Sequence, residues 1–111
     1  MSEFDKSMPV MPDEPASSQE KSQLISTSSI HIKFSQDIIG VEIANDSNNA
    51  TIYLDISGGT AALNKGIPIY PKGYYAADKK VQQHVGISLI STHSNTDVRI
   101  IGHYNLESEN V

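Results

Sequence analysis

The chain has 111 residues, 38% of them hydrophobic and 19% charged, with no Cys or Trp and a formal net charge of −5. That length supports one domain and not two separate cores, and the lack of sulfhydryl groups excludes disulfides, thiol nucleophiles and thiolate-bound zinc or copper. The acidic balance repels a phosphate backbone, so nucleic acid is not an expected partner.

The first residues include Glu3 and Asp5 and no basic end followed by an apolar run, so no signal peptide is expected. No apolar stretch approaches the ~18–20 residues that span a bilayer, and the expectation is a soluble protein without a membrane partner. Residues 1–23 hold Pro9, Pro12 and Pro15 among Ser, Glu, Asp and Gln, with neither helical nor alternating periodicity. They read as an extended polar arm. Phe4, Met8, Val10 and Met11 are its sizeable apolar groups, either anchors on a neighbouring molecule or incidental residues of a free tail.

From Leu24 apolar residues fall on alternate positions, the period of a strand with one buried face. Ile30, Ile32 and Phe34 share a parity over 26–34. Ile39, Val41 and Ile43 do so next, then Ile52, Leu54 and Ile56, then Ile67 and Ile69 in a short segment, then Val85, Ile87 and Leu89, and last Val98, Ile100 and Tyr104, with Gly102 between. Turn residues break the runs at 35–37, 45–49, 57–59, 71–73 and 91–97, about every ten residues. Only 76–83 offers a weak helical pattern. The reading is all-β, a small antiparallel β-sandwich or small barrel over 24–105, with the extended N-terminal arm before it and an acidic tail at 106–111. Pro68 cannot donate to a ladder, which puts 67–70 on an edge or at a bulge, and the Ser/Thr/Asn-rich surface holds few charged guards against edge pairing.

The residues give little sign of reaction chemistry. His31, His84, His93 and His103 lack metal-ligand spacing, and strand parity turns His31 and His103 away from the apolar side. Ser57-Gly58-Gly59-Thr60 follows a strand but lacks the continuation of a phosphate loop, and no nucleophile elbow occurs. Asp46-Ser47-Asn48 opens like a calcium loop that Ala50 interrupts, and the two glycosylation triplets at 45–47 and 49–51 come without an export signal. Lys79-Lys80 reads as a solvated loop. No catalytic residue, metal or cofactor is expected. Tyr70, Tyr74 and Tyr75 are the candidate contact residues with Pro68: one ring of the Tyr74-Tyr75 pair faces outward and suits a protein interface or a sugar platform, or the pair caps the sandwich.

The stretch Ala50-Thr51-Ile52-Tyr53-Leu54-Asp55-Ile56-Ser57-Gly58-Gly59-Thr60, followed by Gly66-Ile67-Pro68-Ile69-Tyr70-Pro71-Lys72-Gly73-Tyr74-Tyr75, resembles small structural proteins of tailed bacteriophages. The likeness continues through Gly86-Ile87-Ser88-Leu89-Ile90 and Val98-Arg99-Ile100-Ile101, so it spans 38–104. Lys72 stands where that family more often has Gly, and 76–84 is longer and more polar than its pattern. The resemblance implies a non-enzymatic virion protein of capsid-decoration, neck or tail type, assembled in the host cytoplasm. Its implied partners are copies of itself and other virion proteins, with 1–23 as an assembly arm; the exposed Tyr and the Asn/Ser/Thr-rich loops offer the alternative, a module that binds carbohydrate on a host surface.

Overall fold

A computed structural model of the chain describes residues 16–105. The described residues form eight strands: β1 (Ala16–Ile25), β2 (Ile30–Ile32), β3 (Gly40–Asn45), β4 (Ile52–Asp55), β5 (Ile67–Ile69), β6 (Tyr74–Ala77), β7 (Ile87–Ser91) and β8 (Thr96–Asn105). They form two four-stranded sheets, ordered β1-β8-β3-β6 and β2-β7-β4-β5, with every ladder antiparallel. The chain is thus all-β and a small β-sandwich, and no helix occurs among the described residues.

The strand order has a simple origin. β1 pairs with β8, β2 with β7, β3 with β6 and β4 with β5, so the four pairs are successive rungs of one long hairpin. Rolling that hairpin places β8 beside β3 and β7 beside β4, which closes the sheets. Eight strands wound in this way make a jelly roll.

Alternation drives the rolling, because each strand has one apolar face to hide. Ile25, Ile43, Ile52, Leu54, Ile87, Leu89, Val98 and Ile100 are all at most 1% exposed between the sheets. Each such side chain contributes about 1.5–3 kcal/mol relative to exposure. Phe34 lies beyond β2 but is still buried, because Gly102 leaves room for its ring: a Cβ on Gly102 would stand 2.7 Å from the Phe34 ring carbons. In β7 even the outward parity is buried, since the 56–66 connection folds over it and the Ala61 N–H donates to Ser88 Oγ at 2.8 Å.

Several sequence expectations change. Residues 16–23, assigned to the arm, are part of β1, whose backbone pairs with β8 from Ala16 opposite Asn105 to Ile25 opposite Thr96. The alternation there is too polar to register as a strand, because the segment forms the outer edge and Ser18, Glu20, Ser22 and Leu24 face solvent. The arm expected over 1–15 and the tail over 106–111 lie outside the described residues. Ile39 does not share the buried parity of Val41 and Ile43: it is 41% exposed, and Ile38 is buried in its place. The chain bends between them, since Ile38 exchanges backbone hydrogen bonds with Val81 while the Ile39 N–H turns to the His103 carbonyl. The helical pattern at 76–83 is instead the end of β6 and the Val81 bridge. Pairing along β3 outweighs local propensity there.

The winding gives the sandwich two unlike ends. One carries the connections 26–29, 46–51, 70–73 and 92–95; the other carries 33–39, 56–66 and 78–86 together with Ala16 and Asn105, the limits of the described chain.

Candidate functional site

Among the described residues four strands are paired on one side only: β1 and β6 in one sheet, β2 and β5 in the other. The four-residue connections 26–29 and 70–73 put β1 with β2 on one lateral side and β5 with β6 on the opposite side. β1 is the longest of these edges at ten residues, and Glu20 and Lys21 are its only charged residues. Leu24 stands on its outer face and is 58% exposed.

The opposite side gathers three of the sequence-predicted contact residues. Pro68 is exposed on β5, opposite Tyr53, at the sheet edge where a missing N–H breaks no ladder. Tyr70 and Tyr74, 62% and 63% exposed, flank the 70–73 turn that leads from one sheet to the other. Tyr75 does not join them: it lies across from Ile43 on the inward parity, half-buried against the core. Phe4, Met8, Val10 and Met11 lie outside the described residues.

The Tyr74 ring is fixed by a polar cluster on the outer face of the first sheet. Glu42 of β3, Tyr74 of β6 and His103 of β8 all have outward parity, and the strand order makes them neighbours. The Tyr74 hydroxyl donates to Glu42 Oε1, and His103 Nε2 meets Glu42 Oε2. The bond from Tyr74, followed by that from His103, holds the Glu42 carboxyl below its ordinary range, and the same bond raises the Tyr74 phenol. A shallow hollow beside the cluster is lined also by Ile39, Ala76 and Asp78. An oriented aromatic ring beside a carboxylate and an imidazole is chemistry for contact, either against a protein surface or against a sugar face.

The turn that carries Tyr70 and Tyr74 is tied down from below. Asn45, 1% exposed, donates from Nδ2 to the carbonyls of Ala50 at 2.8 Å and Ile69 at 2.9 Å, and its Oδ1 accepts from the Ser47 N–H at 3.0 Å. This one side chain joins β3 of the first sheet to β5 of the second. Asp46 takes both Nε and Nη2 of Arg99, at 2.8 and 3.2 Å, which lowers its carboxyl and raises the guanidinium. Lys72 Nζ donates to the Asp46 carbonyl at 2.8 Å, and the Lys72 N–H to that of Ser47 at 3.1 Å.

The histidines stay apart. His31 is exposed with Nε2 3.3 Å from the Gly59 carbonyl, His93 sits in the 92–95 turn, His84 is exposed, and among the described residues only His103 has a carboxylate partner. Among the described residues no three His, Asp or Glu side chains gather in a way that could hold a metal ion, and no helix is long and apolar enough to cross a membrane. The Ser57-Gly58-Gly59 segment is a turn held by Asp55, whose Oδ1 accepts from Ser57 Oγ at 2.7 Å, the Ser57 N–H at 2.8 Å and the Gly59 N–H at 3.3 Å.

Leu24, Ile39, Glu42 and His103 were not singled out as contact residues by the sequence. Parity alone turns Glu42 and His103 to the outer face, but only the adjacency of β3 and β8 brings them together.

No protein-family model matches the chain, and no curated protein matches it. Among solved structures, a chain of Bacillus endospore appendages, described as forming a novel family of disulfide-linked pili, aligns with a TM-score of 0.47 and 13% identity, over 82% of this chain and 87% of that one. The 111 residues here contain no cysteine.

Proposed function

We propose that this protein is a structural component of a bacteriophage virion, of capsid-decoration, neck or tail type, which acts through repeated contacts with copies of itself and with other virion proteins. The observation that carries the reading is the β1 edge: ten residues that pair on one side only among the described residues, with two charged residues and an exposed Leu24. A sheet edge of that length with few charged guards is a template for another strand. The resemblance over 38–104 supplies the virion setting. Jelly rolls build viral shells and lectin modules alike, an analogy of fold that adds only associational support. In this reading the protein is not an enzyme, needs no cofactor, contacts neither nucleic acid nor membrane, and assembles in the host cytoplasm. Residues 1–15 anchor each subunit to the next.

The test is light scattering of the full chain, alone and with purified phage particles of its source, beside a Leu24→Lys variant that places a charge on the β1 edge. Self-assembly or particle binding that falls in the variant supports the proposal. A wild-type chain that stays monomeric and ignores particles sinks it. A second reading, recognition of a host glycan, is favoured by the oriented and exposed Tyr74 ring. It requires saturable binding on a glycan array that Tyr74→Ala abolishes.

A further inference from the structure

The end of the sandwich opposite the tight turns holds a groove of about 900 Å³ between the 33–39, 56–66 and 78–86 connections. Its apolar surface includes Ile39, 41% exposed, with Ile56 and Val85 half-buried. Lys79 and Lys80 stand on its rim, and neither ammonium has a carboxylate partner among the described residues. Asp37 in the wall accepts the Gln83 N–H at 2.7 Å and keeps its negative charge, so the lining holds two ammonium groups against one carboxylate. The groove is thus aliphatic inside and basic at the lip.

The chain itself carries a segment of matching chemistry. Residues 1–15 contain Phe4, Met8, Val10 and Met11, and their charges are Glu3, Asp5, Asp13 and Glu14 against Lys6 alone. They enter the fold at Ala16, which pairs with Asn105 at the groove end, on the same end of the sheet where Gly40 pairs with His103. Only β8 separates β1 from β3, so the start of β3 lies about 10 Å from Ala16, two strand spacings. Met11 and Met8 precede Ala16 by five and eight residues, a reach of at most roughly 18 and 29 Å for an extended chain. In the assembly reading the segment therefore has the reach to enter the groove of an adjoining copy.

We propose that the segment around Met8, Val10 and Met11 docks in the groove of a neighbouring copy, its apolar side chains on Ile39, Ile56 and Val85 and its acidic flanks against Lys79 and Lys80. This rests on the assembly reading above and names the contact that would carry it. The geometry is heterologous, arm of one copy into groove of the next, and so propagates as a ring or a filament.

The absence of cysteine makes the test direct. Two single variants of the full chain, Met11→Cys and Ile39→Cys, are mixed under mild oxidation, and the disulfide-linked heterodimer is read on a non-reducing gel. The control replaces Ile39→Cys by Ser94→Cys, an exposed position at the opposite end. The expected result is a heterodimer with Ile39→Cys well above the control, reduced roughly fivefold when Lys79→Glu and Lys80→Glu are added, the loss of two surface pairs. A yield equal to the control overturns the proposal. So does a Met11→Cys, Ile39→Cys double variant that closes only within one chain. If wild-type chains assemble by light scattering but these links do not form, the structural reading survives and this contact fails; if wild-type chains neither assemble nor bind particles, the structural reading itself fails.

Discussion

The two ends of the sandwich are built differently. At the turn end the connections 26–29, 46–51, 70–73 and 92–95 are short, and side chains close their backbone groups: Asn45 on Ala50 and Ile69, Ser47 Oγ on Ala50, Thr92 Oγ1 on the Thr51 N–H, Thr96 Oγ1 on the His93 carbonyl. At the groove end the connections 33–39, 56–66 and 78–86 are longer, and Ile39 and Leu63 are left 41% and 42% exposed. The same rolled hairpin thus has a sealed end and an end with apolar surface to spare. Rigid turns hold Tyr70 and Tyr74 in place, while the groove end is where the chain enters its domain.

Mutations can break this contrast. The largest effect is expected where the groove end is itself tightly built. Gly86 has φ +69°, and a Cβ there would stand 2.3 Å from the Ile32 carbonyl oxygen, so Gly86→Ala meets both left-handed strain and a backbone clash. A loss of about 3 kcal/mol is expected, read as a lower urea midpoint. At the turn end, Asn45→Ala removes the side-chain partner of the buried Ile69 carbonyl and of the Ser47 N–H and leaves the Ala50 carbonyl to Ser47 Oγ, with an expected loss of about 2 kcal/mol. If Asn45→Ala proves nearly neutral, the sealed end is not sealed by its side chains.

Acid sharpens the contrast further. The Ser57 hydroxyl, then the Ser57 N–H, hold the Asp55 carboxyl below its ordinary value of 3.8, so the folded state favours the ionised form. Its contribution is complete above the ordinary aspartate range and fades as pH falls through the lowered folded value. Asp55→Asn should therefore flatten the fall of the urea midpoint between about pH 4 and about pH 2. An unchanged slope would show that the 57–59 turn does not depend on that charge. The smallest effect is expected at Lys72, whose φ of +62° lies in the left-handed region. Lys72→Gly relieves that strain but gives up the tether to the Asp46 carbonyl, for a net gain of about 0.5 kcal/mol in the same denaturation assay.

Lys72 also shows how far the sequence can be read. In the sequence it is one residue of a Pro-Lys-Gly turn; in the fold it is a left-handed turn residue whose ammonium reaches back over the turn. Pro68 was legible, because a residue without an N–H has few places in a sheet, and β5 is an edge. Tyr74 facing outward and Tyr75 inward follows one of the options that parity left open. β1 was hidden over 16–23, because an edge strand of Ser, Gln, Glu and Lys carries no apolar alternation and gains its order from the ladder with β8. The bend at Ile39 was hidden for a related reason: two adjacent isoleucines fit either parity, and the bridge to Val81 chooses Ile38.

The sequence by itself determined the fold class, since a period of two broken by turn residues admits only strands with one face to bury. It also determined most of the core, the edge position of Pro68, and the absence of sulfur chemistry within these residues. Tertiary structure alone decided the jelly-roll order, the meeting of Glu42, Tyr74 and His103, and the groove beneath Lys79 and Lys80. Those features join residues distant along the chain, and alternation says which way a side chain points but not which strand will lie beside it.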